Sequence, residues 1–263
     1  MPELLPTWEQ LTALAAETGA PRERVARFLS LYRPAPYLSA CSQAVWAGDE
    51  PVLVRNYDYS PDLWEGVLLH TRWNGRSVLA VSDCLWGVLD GINDAGLAVS
   101  LSFGGRRVVG DGFGIPLVLR YLLERCTTTA EAVQVLARVP SHMAYNVTVV
   151  DATGDFITAY LAPDRPPILR KWPLCTNHQE VQDWSEYTRA SGSLEREGVL
   201  AQYLADPLLT AEGLVAGFRQ PPLNSTDYAR GFGTLYTAVY YPRRGVGRFF
   251  WNGEETTVAV GGG

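Results

Sequence analysis

A thiol, a guanidinium and a carboxylate fall close together early in this chain. Cys41 follows a small residue, Ala40, and Arg55, Asn56 and Asp58 stand 14 to 17 positions later. A thiol beside a guanidinium is biased toward its nucleophilic thiolate, and a carboxylate can orient a nearby donor through a charge-assisted hydrogen bond. Whether the three groups meet depends on the stretch between them. It reads as an apolar run (Ala44, Val45, Trp46), a Gly48-Asp49-Glu50-Pro51 turn and a second apolar run from Val52 to Val54. That pattern predicts two short strands and a tight hairpin, which carries Cys41 to the Arg55–Asp58 end. Positions 55 and 58 differ by three, so a bulge or strand end at Asn56-Tyr57 is expected if both side chains are to point one way. The plainer alternative is an ordinary hairpin with a buried thiol and a structural ion pair.

The remaining elements follow from periodicity and turn signals. Before Cys41, two helices are expected: Thr7 and Gln10 resemble a capping box, Gly19 suits a stop, and Pro21 suits the first turn of the second helix. Val25, Phe28, Leu29 and Tyr32 form an apolar stripe on that second helix, and Pro34 and Pro36 end it. After the first hairpin, strands over 66–73 and 77–82 flank Asn74-Gly75. Turn signals then bracket Asn93 before a strand that follows Gly96. Helices are expected over 115–125 and from Thr128 or Thr129 to Arg138. Strands over 145–151, 155–161 and 168–172 come next, then helices over 188–204 and 210–218. A last hairpin over 234–241 and 246–251 precedes one more strand over 255–260. This order suits two layered sheets with helices outside.

With these elements laid out, the motifs can be read together. Cys41 with Arg55-Asn56-Tyr57-Asp58, then Asp90-Gly91-Ile92-Asn93-Asp94-Ala95-Gly96-Leu97, then Thr176-Asn177-His178, resembles the N-terminal-nucleophile hydrolases that cleave linear amide C–N bonds. That group includes the choloylglycine hydrolases, penicillin V acylases, acid ceramidase relatives and isopenicillin-N acyltransferase-like proteins. The texture of this chain is nearest the acyltransferase-like branch, and the resemblance covers roughly residues 41–260. It implies an α+β fold, a four-layer αββα sandwich, preceded by a helical leader over residues 1–40 that serves as a propeptide, with the amidohydrolase domain over 41–263. Bile salt hydrolases carry a further arginine in the late strand; here Leu235 lies near that place and Arg230 is the nearest candidate.

The resemblance also assigns roles. Autocatalytic cleavage between Ala40 and Cys41 would free a cysteine that carries its own base, because an α-amine titrating near ~8 can take the proton of a thiol titrating near ~8.5. Asp58 would orient that amine and Arg55 would favour the thiolate. An N–H of Asn93 or Asn177, with a backbone N–H, would face the oxyanion of a tetrahedral intermediate; Asn93 also suits its turn for conformational reasons alone. His178 is expected to shape the pocket, and His70 and His142 to be core or surface residues. Cys84, Cys126 and Cys175 read as small buried apolar residues. Trp46, Tyr57, Tyr59, Trp64, Trp73 and Trp86 either line an apolar acyl pocket or form core.

Composition narrows the partners. The net charge is −6, and no basic run would hold a nucleic-acid backbone. No apolar stretch approaches a membrane span, and no CxxC or Cys/His cluster suggests zinc. The expectation is a cytoplasmic enzyme that needs no cofactor or metal and acts on a small N-acyl amide, alone or as a homo-oligomer. Its acyl-thioester on Cys41 would pass to water or, alternatively, to an amine. An uncleaved, non-catalytic binding protein of the same fold is the alternative from another class.

Overall fold

The first hairpin forms as its sequence predicts. In the computed structural model, which describes residues 1–251 and 253–261, β1 (Ala40–Trp46) and β2 (Val52–Tyr59) pair antiparallel. Their register sets Cys41 opposite Tyr57 and Ala40 opposite Asp58. Two strands close the chain's first sheet around this pair. β10 (Leu174–Cys175) lies beside β1, and β11 (Gly233–Tyr241) lies beside β2. β12 (Val246–Trp251) and β13 (Glu254–Ala259) complete six strands in the order β10-β1-β2-β11-β12-β13.

The second sheet is a seven-stranded meander, each strand paired with the next in sequence. It runs through β3 (Leu68–Trp73), β4 (Arg76–Asp83), β5 (Gly87–Asn93), β6 (Ala98–Phe103), β7 (Tyr145–Val150), β8 (Phe156–Ala162) and β9 (Arg165–Arg170). The two sheets meet face to face through β1, β2 and β6 and through β12 and β5. Every residue of β5 and β6 is buried, so both faces of these strands are covered and their polar residues Asp90, Asn93, Ser100 and Ser102 lie inside the protein.

Helices cover the outer faces. α3 (Ile115–Arg125) and α4 (Thr129–Arg138) pack on the seven-stranded sheet, and the Thr128 hydroxyl caps α4 by accepting from Glu131 N. Gly91 permits the close approach of α3, because a Cβ there would lie 2.8 Å from Leu123 Cδ1 and 2.7 Å from Ala80 Cβ. On the six-stranded sheet lie α6 (Ser193–Ala205) and α7 (Ala211–Phe218), where Leu200, Leu214 and Phe218 meet Ala44, Val54 and Val239. The result is the expected αββα sandwich. The single helix anticipated over 188–204 is instead two, α5 (Ser185–Ala190) and α6, because Gly192 adopts a left-handed conformation (φ +61°) between them.

The first 39 residues fold against this body. α1 (Leu5–Ala16) and α2 (Arg22–Leu29) pack on each other. α1 begins two residues before Thr7 with Pro6 in its first turn, so the anticipated Thr7/Gln10 box does not form. The stripe on α2 is only partly used: Leu29 is buried, whereas Phe28 and Tyr32 stay exposed. Leu4, Leu29 and Leu31 join the main core, Trp86 Nε1 donates to Leu29 O, and Gly114 N donates to Leu31 O. The fit is loose near the chain start. A cleft of about 440 Å³ with mainly apolar walls separates Met1, Leu4 and Trp8 from Trp86, Phe113 and Leu117. Among the described residues, no helix is long and apolar enough to cross a membrane.

Candidate active site

Strand alternation decides what surrounds Cys41. Along β2, Arg55 and Tyr57 face the space between the sheets, whereas Asn56 and Asp58 face the α6–α7 layer. The bulge anticipated at Asn56-Tyr57 is absent, since β2 pairs with β1 without interruption. It lies in the neighbouring strand instead, where β11 shifts register between Thr234 and Tyr236. That extra residue lets Thr234 reach Asp58 on the outer face while Tyr236 reaches Arg55 on the inner face. Arg55 and Asp58 therefore act on Cys41 from opposite sides of the sheet.

On the inner side, Arg55 Nη2 points at Cys41 Sγ (3.4 Å). The rest of the guanidinium is fixed by Leu101 O (3.0 Å from Nε), the Asp90 carboxylate and the Tyr236 hydroxyl. Asp90 also accepts from the hydroxyls of Tyr236 and Tyr240, so this buried ion pair has its other lone pairs satisfied. Ser39 Oγ approaches Cys41 Sγ at 3.8 Å. Burial pushes the Cys41 thiol above its usual value, and Arg55 works against that rise without cancelling it. In the intact chain Cys41 is thus held as a neutral thiol beside a fixed cation.

On the outer side, α6 supplies a second guanidinium. Arg196 Nη1 donates to the main-chain oxygen of Cys41 and to Ser42 Oγ, Nη2 donates to Asn177 Oδ1 (2.7 Å), and Nε donates to Ser191 O (3.0 Å). Asp58 Oδ2 lies 3.7 Å from Arg196 Nη1, and its Oδ1 accepts from Thr234 Oγ1 (2.6 Å). Burial raises the Asp58 pKa to about 6, with Arg196 and Thr234 holding it back from a larger rise.

Asn177 spans the bond between residues 40 and 41. Its Oδ1 accepts from Cys41 N (2.7 Å), and its Nδ2 donates to Ser39 O and Phe103 O (both 3.2 Å). The Tyr187 hydroxyl donates to the same Ser39 oxygen, so two donors converge on one carbonyl beside the thiol. Ser193 Oγ, at the start of α6, fixes Asn177 by accepting from its main-chain N (2.8 Å) and also touches His178 Nδ1 (2.9 Å). His178 leans on Glu197 and sits behind Asn177, not against the thiol.

Asn93 corrects the sequence reading. Asp90 faces the inner space, so three residues further along β5 Asn93 faces α3. Its Nδ2 donates to Leu123 O and Cys126 O, and its Oδ1 accepts from Ala95 N and Leu97 N. It ties a turn to the end of a helix and is not among the groups around Cys41. Arg230 is likewise elsewhere, exposed and paired with Asp227. The aromatic set divides: Tyr57 lies under Arg55 with its ring centre 4.8 Å from Cζ, and Trp64 stacks on Tyr236. Trp73 and Trp86 instead sandwich Arg120 on the α3 side. Cys126 and Cys175 are buried as expected, and Cys84 is half-buried.

Arg196, Tyr187, Asp90 and Tyr236 went unassigned from sequence. Asp90 belongs to a motif already noted, and its place three residues before Asn93 on a strand was the usable signal. Arg196 stands in Glu195-Arg196-Glu197, which reads as a solvated helix face, and no local signal marks its burial.

A sandwich of this kind with a buried cysteine on its central hairpin is the N-terminal-nucleophile hydrolase fold of the linear-amide type. The solved structures agree on the fold. Penicillin V acylase from Agrobacterium tumefaciens superposes with a TM-score of 0.59 at 16% identity, covering 82% of this chain and 84% of that one. The N-acylethanolamine-hydrolyzing acid amidase orthologue of Caenorhabditis elegans gives 0.53 at 16% identity, over 78% and 93%. A mutant of conjugated bile acid hydrolase from Clostridium perfringens gives 0.50 at 11%, over 83% and 92%. No curated protein sequence matches the chain. Residues 46–255 match the family described as acyl-coenzyme A:6-aminopenicillanic acid acyl-transferase, and the chain belongs to that family. Cys41 lies just ahead of the matched stretch.

Proposed function

We propose that this protein is a self-processing cysteine amidohydrolase whose nucleophile is Cys41. The observation that carries the reading is the set of contacts on the residues that flank the Ala40–Cys41 bond. Arg55 holds the thiol, Asn177 holds the amide nitrogen, Arg196 holds the Cys41 carbonyl, and Asn177 with Tyr187 holds the carbonyl of Ser39. In the proposed first reaction Cys41 Sγ attacks the Ala40 carbonyl carbon. The C–N bond breaks, the amide nitrogen takes a proton, and Ala40 is left as a thioester. Water hydrolyses that thioester, which releases residues 1–40 as a carboxylic acid and leaves Cys41 with a free α-amine.

The freed amine is the base the buried thiol lacks. Asn177 Oδ1 already accepts from that nitrogen, and Asp58, whose register partner is Ala40, stands on the same side. With the leader gone, Asn177 Nδ2 and the Tyr187 hydroxyl lose Ser39 O and become two donors facing vacated space beside the thiol. They suit the oxyanion of a tetrahedral intermediate. A substrate amide would acylate Cys41, its amine would leave with the proton, and water would release the acid. Transfer of the acyl group to an amine is the second reading, favoured by the description of the family.

Intact mass is the test. Wild-type protein should lack residues 1–40, and Cys41→Ala should remain full length and inert, because a methyl neither attacks Ala40 nor carries a thioester. A wild-type chain that stays intact yet hydrolyses amides would overturn the mechanism. An intact, inactive chain would leave a binding protein of the same fold.

A further inference from the structure

One tyrosine of the leader and one interior acid take no part in this chemistry. Tyr37 lies four residues before Cys41, with its hydroxyl turned inward toward Asp83 Oδ2 (3.4 Å). Its ring centre is 6.1 Å from that of Tyr59, which in turn lies 5.8 Å from Tyr57. The phenols of Tyr57 and Tyr145 and the Cys84 thiol are close enough to act on its charge. Tyr57 is the register partner of Cys41, so the groups that surround the Tyr37 side chain, the walls of the chamber it fills, continue to the nucleophile.

Asp83 is the last residue of β4, beside the Tyr37 hydroxyl. Burial and the nearby Glu65 carboxylate raise its pKa to about 6. Glu65 itself is committed elsewhere, accepting from Ser82 Oγ (2.8 Å) and Leu85 N (2.7 Å). Residues before Cys41 form the acyl half of the bond that breaks in processing, and Tyr37 belongs to that half.

We propose that the chamber around Tyr37 is the acyl pocket of the processed protein, that Tyr37 holds the place of an aromatic ring bearing a hydrogen-bond donor, and that Asp83 recognises that donor. The substrate class is an N-acyl amide whose acyl chain ends in a phenol or an arylamine, set several bonds from the carbonyl as Tyr37 is set from Ala40. This rests on the hydrolase reading. Once residues 1–40 leave, the Asp83 carboxylate faces aromatic walls without its phenol. A hydroxylated ring restores the hydrogen bond, whereas a plain phenyl leaves it unmade, and sites built around a substrate hydroxyl reject the analogue lacking it.

Two measurements test the proposal. The first uses the full chain carrying Cys41→Ala, which keeps the leader in place, together with Tyr37→Ala, which empties the chamber. Calorimetry should then show p-cresol binding about tenfold or more tighter than toluene, and Asp83→Ala should abolish the preference. Equal binding of the two would overturn the chamber. The second uses processed wild-type protein and a series of N-(ω-arylacyl) amides of increasing chain length, each with and without a 4-hydroxyl. A kcat/KM ratio of about ten or more in favour of the hydroxyl is expected at the best length, and a ratio near one at every length would overturn the substrate class. A processed protein that turns over neither series overturns the substrate class; a wild-type chain that is never processed and turns over neither series overturns the hydrolase reading, and the cresol measurement then decides the chamber alone. Should the Tyr37→Ala chain fail to fold, the kcat/KM ratio decides.

Discussion

Asn93 and Asn177 are equally satisfied and differently placed. Each side chain is fully buried, and each makes two hydrogen bonds through its oxygen and two through its nitrogen. All four partners of Asn93 are main-chain groups of one connected region, the turn after β5 and the end of α3. The partners of Asn177 come from four places: the nitrogen of Cys41, the carbonyl of Ser39, the carbonyl of Phe103 and the guanidinium of Arg196. Two of them flank the bond proposed to break. A saturated amide is thus a structural clamp where its partners stay together and a reaction element where the reaction separates them. Burial and hydrogen-bond count do not distinguish the two.

The largest effect should come at Asn177. In Asn177→Ala the Cys41 nitrogen loses its acceptor and the vacated carbonyl position loses one of two donors. Removal of one such donor typically costs about 10²–10³ in kcat. Turnover should fall by that order with KM little changed, and the rate of self-cleavage followed by mass should fall as well. A folded Asn177→Ala protein with unaltered rates would make Asn177 a clamp like Asn93 and erase the contrast.

Acid sharpens the contrast, because the Asn177 side carries a titrating group and none of the Asn93 bonds does. Asp58 has its pKa raised to about 6 in the fold, chiefly by burial, against about 3.9 in an unfolded chain. Between those values the native state keeps a proton that the unfolded state gives up. Stability therefore falls as pH rises through this window and levels off above it. A shift of that size corresponds to at most about 3 kcal/mol. Asp83 is raised to about 6 as well and adds to the same slope. The informative quantity is the difference in Tm between Cys41→Ala and Cys41→Ala/Asp58→Asn from pH 4 to 7. It should change steadily across the window, and a flat difference would show that Asp58 is not held protonated.

The two asparagines also mark how far the sequence could be read. The hairpin of β1 and β2, the turns at Asn74-Gly75 and Gly96, and α3 were all legible because apolar periodicity and turn residues agree there. Cys41, Arg55, Asp58 and Asn177 come together as their motifs suggest. Asn93 does not, and the reason is the two-residue period of a strand. Asp90 and Asn93 are three apart, so one faces the other sheet and the other faces α3. The same parity separates Arg55 from Asp58, and the anticipated bulge that would have reunited them lies in β11. The fold uses both faces of β2, reaching the thiol from one side and its main chain from the other. Arg196 was illegible for a related reason. Its direction is set by the break at Gly192, where a continuous helix over 188–204 would have given α6 a different phase.

The smallest effect belongs to Asn93, and it is the cleanest separation of the two roles. Asn93→Ala leaves the Leu123 and Cys126 carbonyls and the Ala95 and Leu97 amides without their side-chain partner in a buried place. The main-chain bonds that remain there, from Asn93 N to Leu97 O and from Cys126 N to Leu122 O, keep the turn and helix end formed. The loss should therefore be near that of an unsatisfied buried group, about 2 kcal/mol. For a chain of this size that is a fall in Tm of roughly 4–8 °C. Self-cleavage and kcat should stay within about twofold of wild type at a temperature where the variant is folded, because no bond of Asn93 reaches Cys41, Arg55 or Asn177. Thermal unfolding and initial rates measured on the same preparation decide it. A kcat loss in Asn93→Ala as large as that of Asn177→Ala, at unchanged Tm, would return Asn93 to the reaction and remove the distinction between the two clamps.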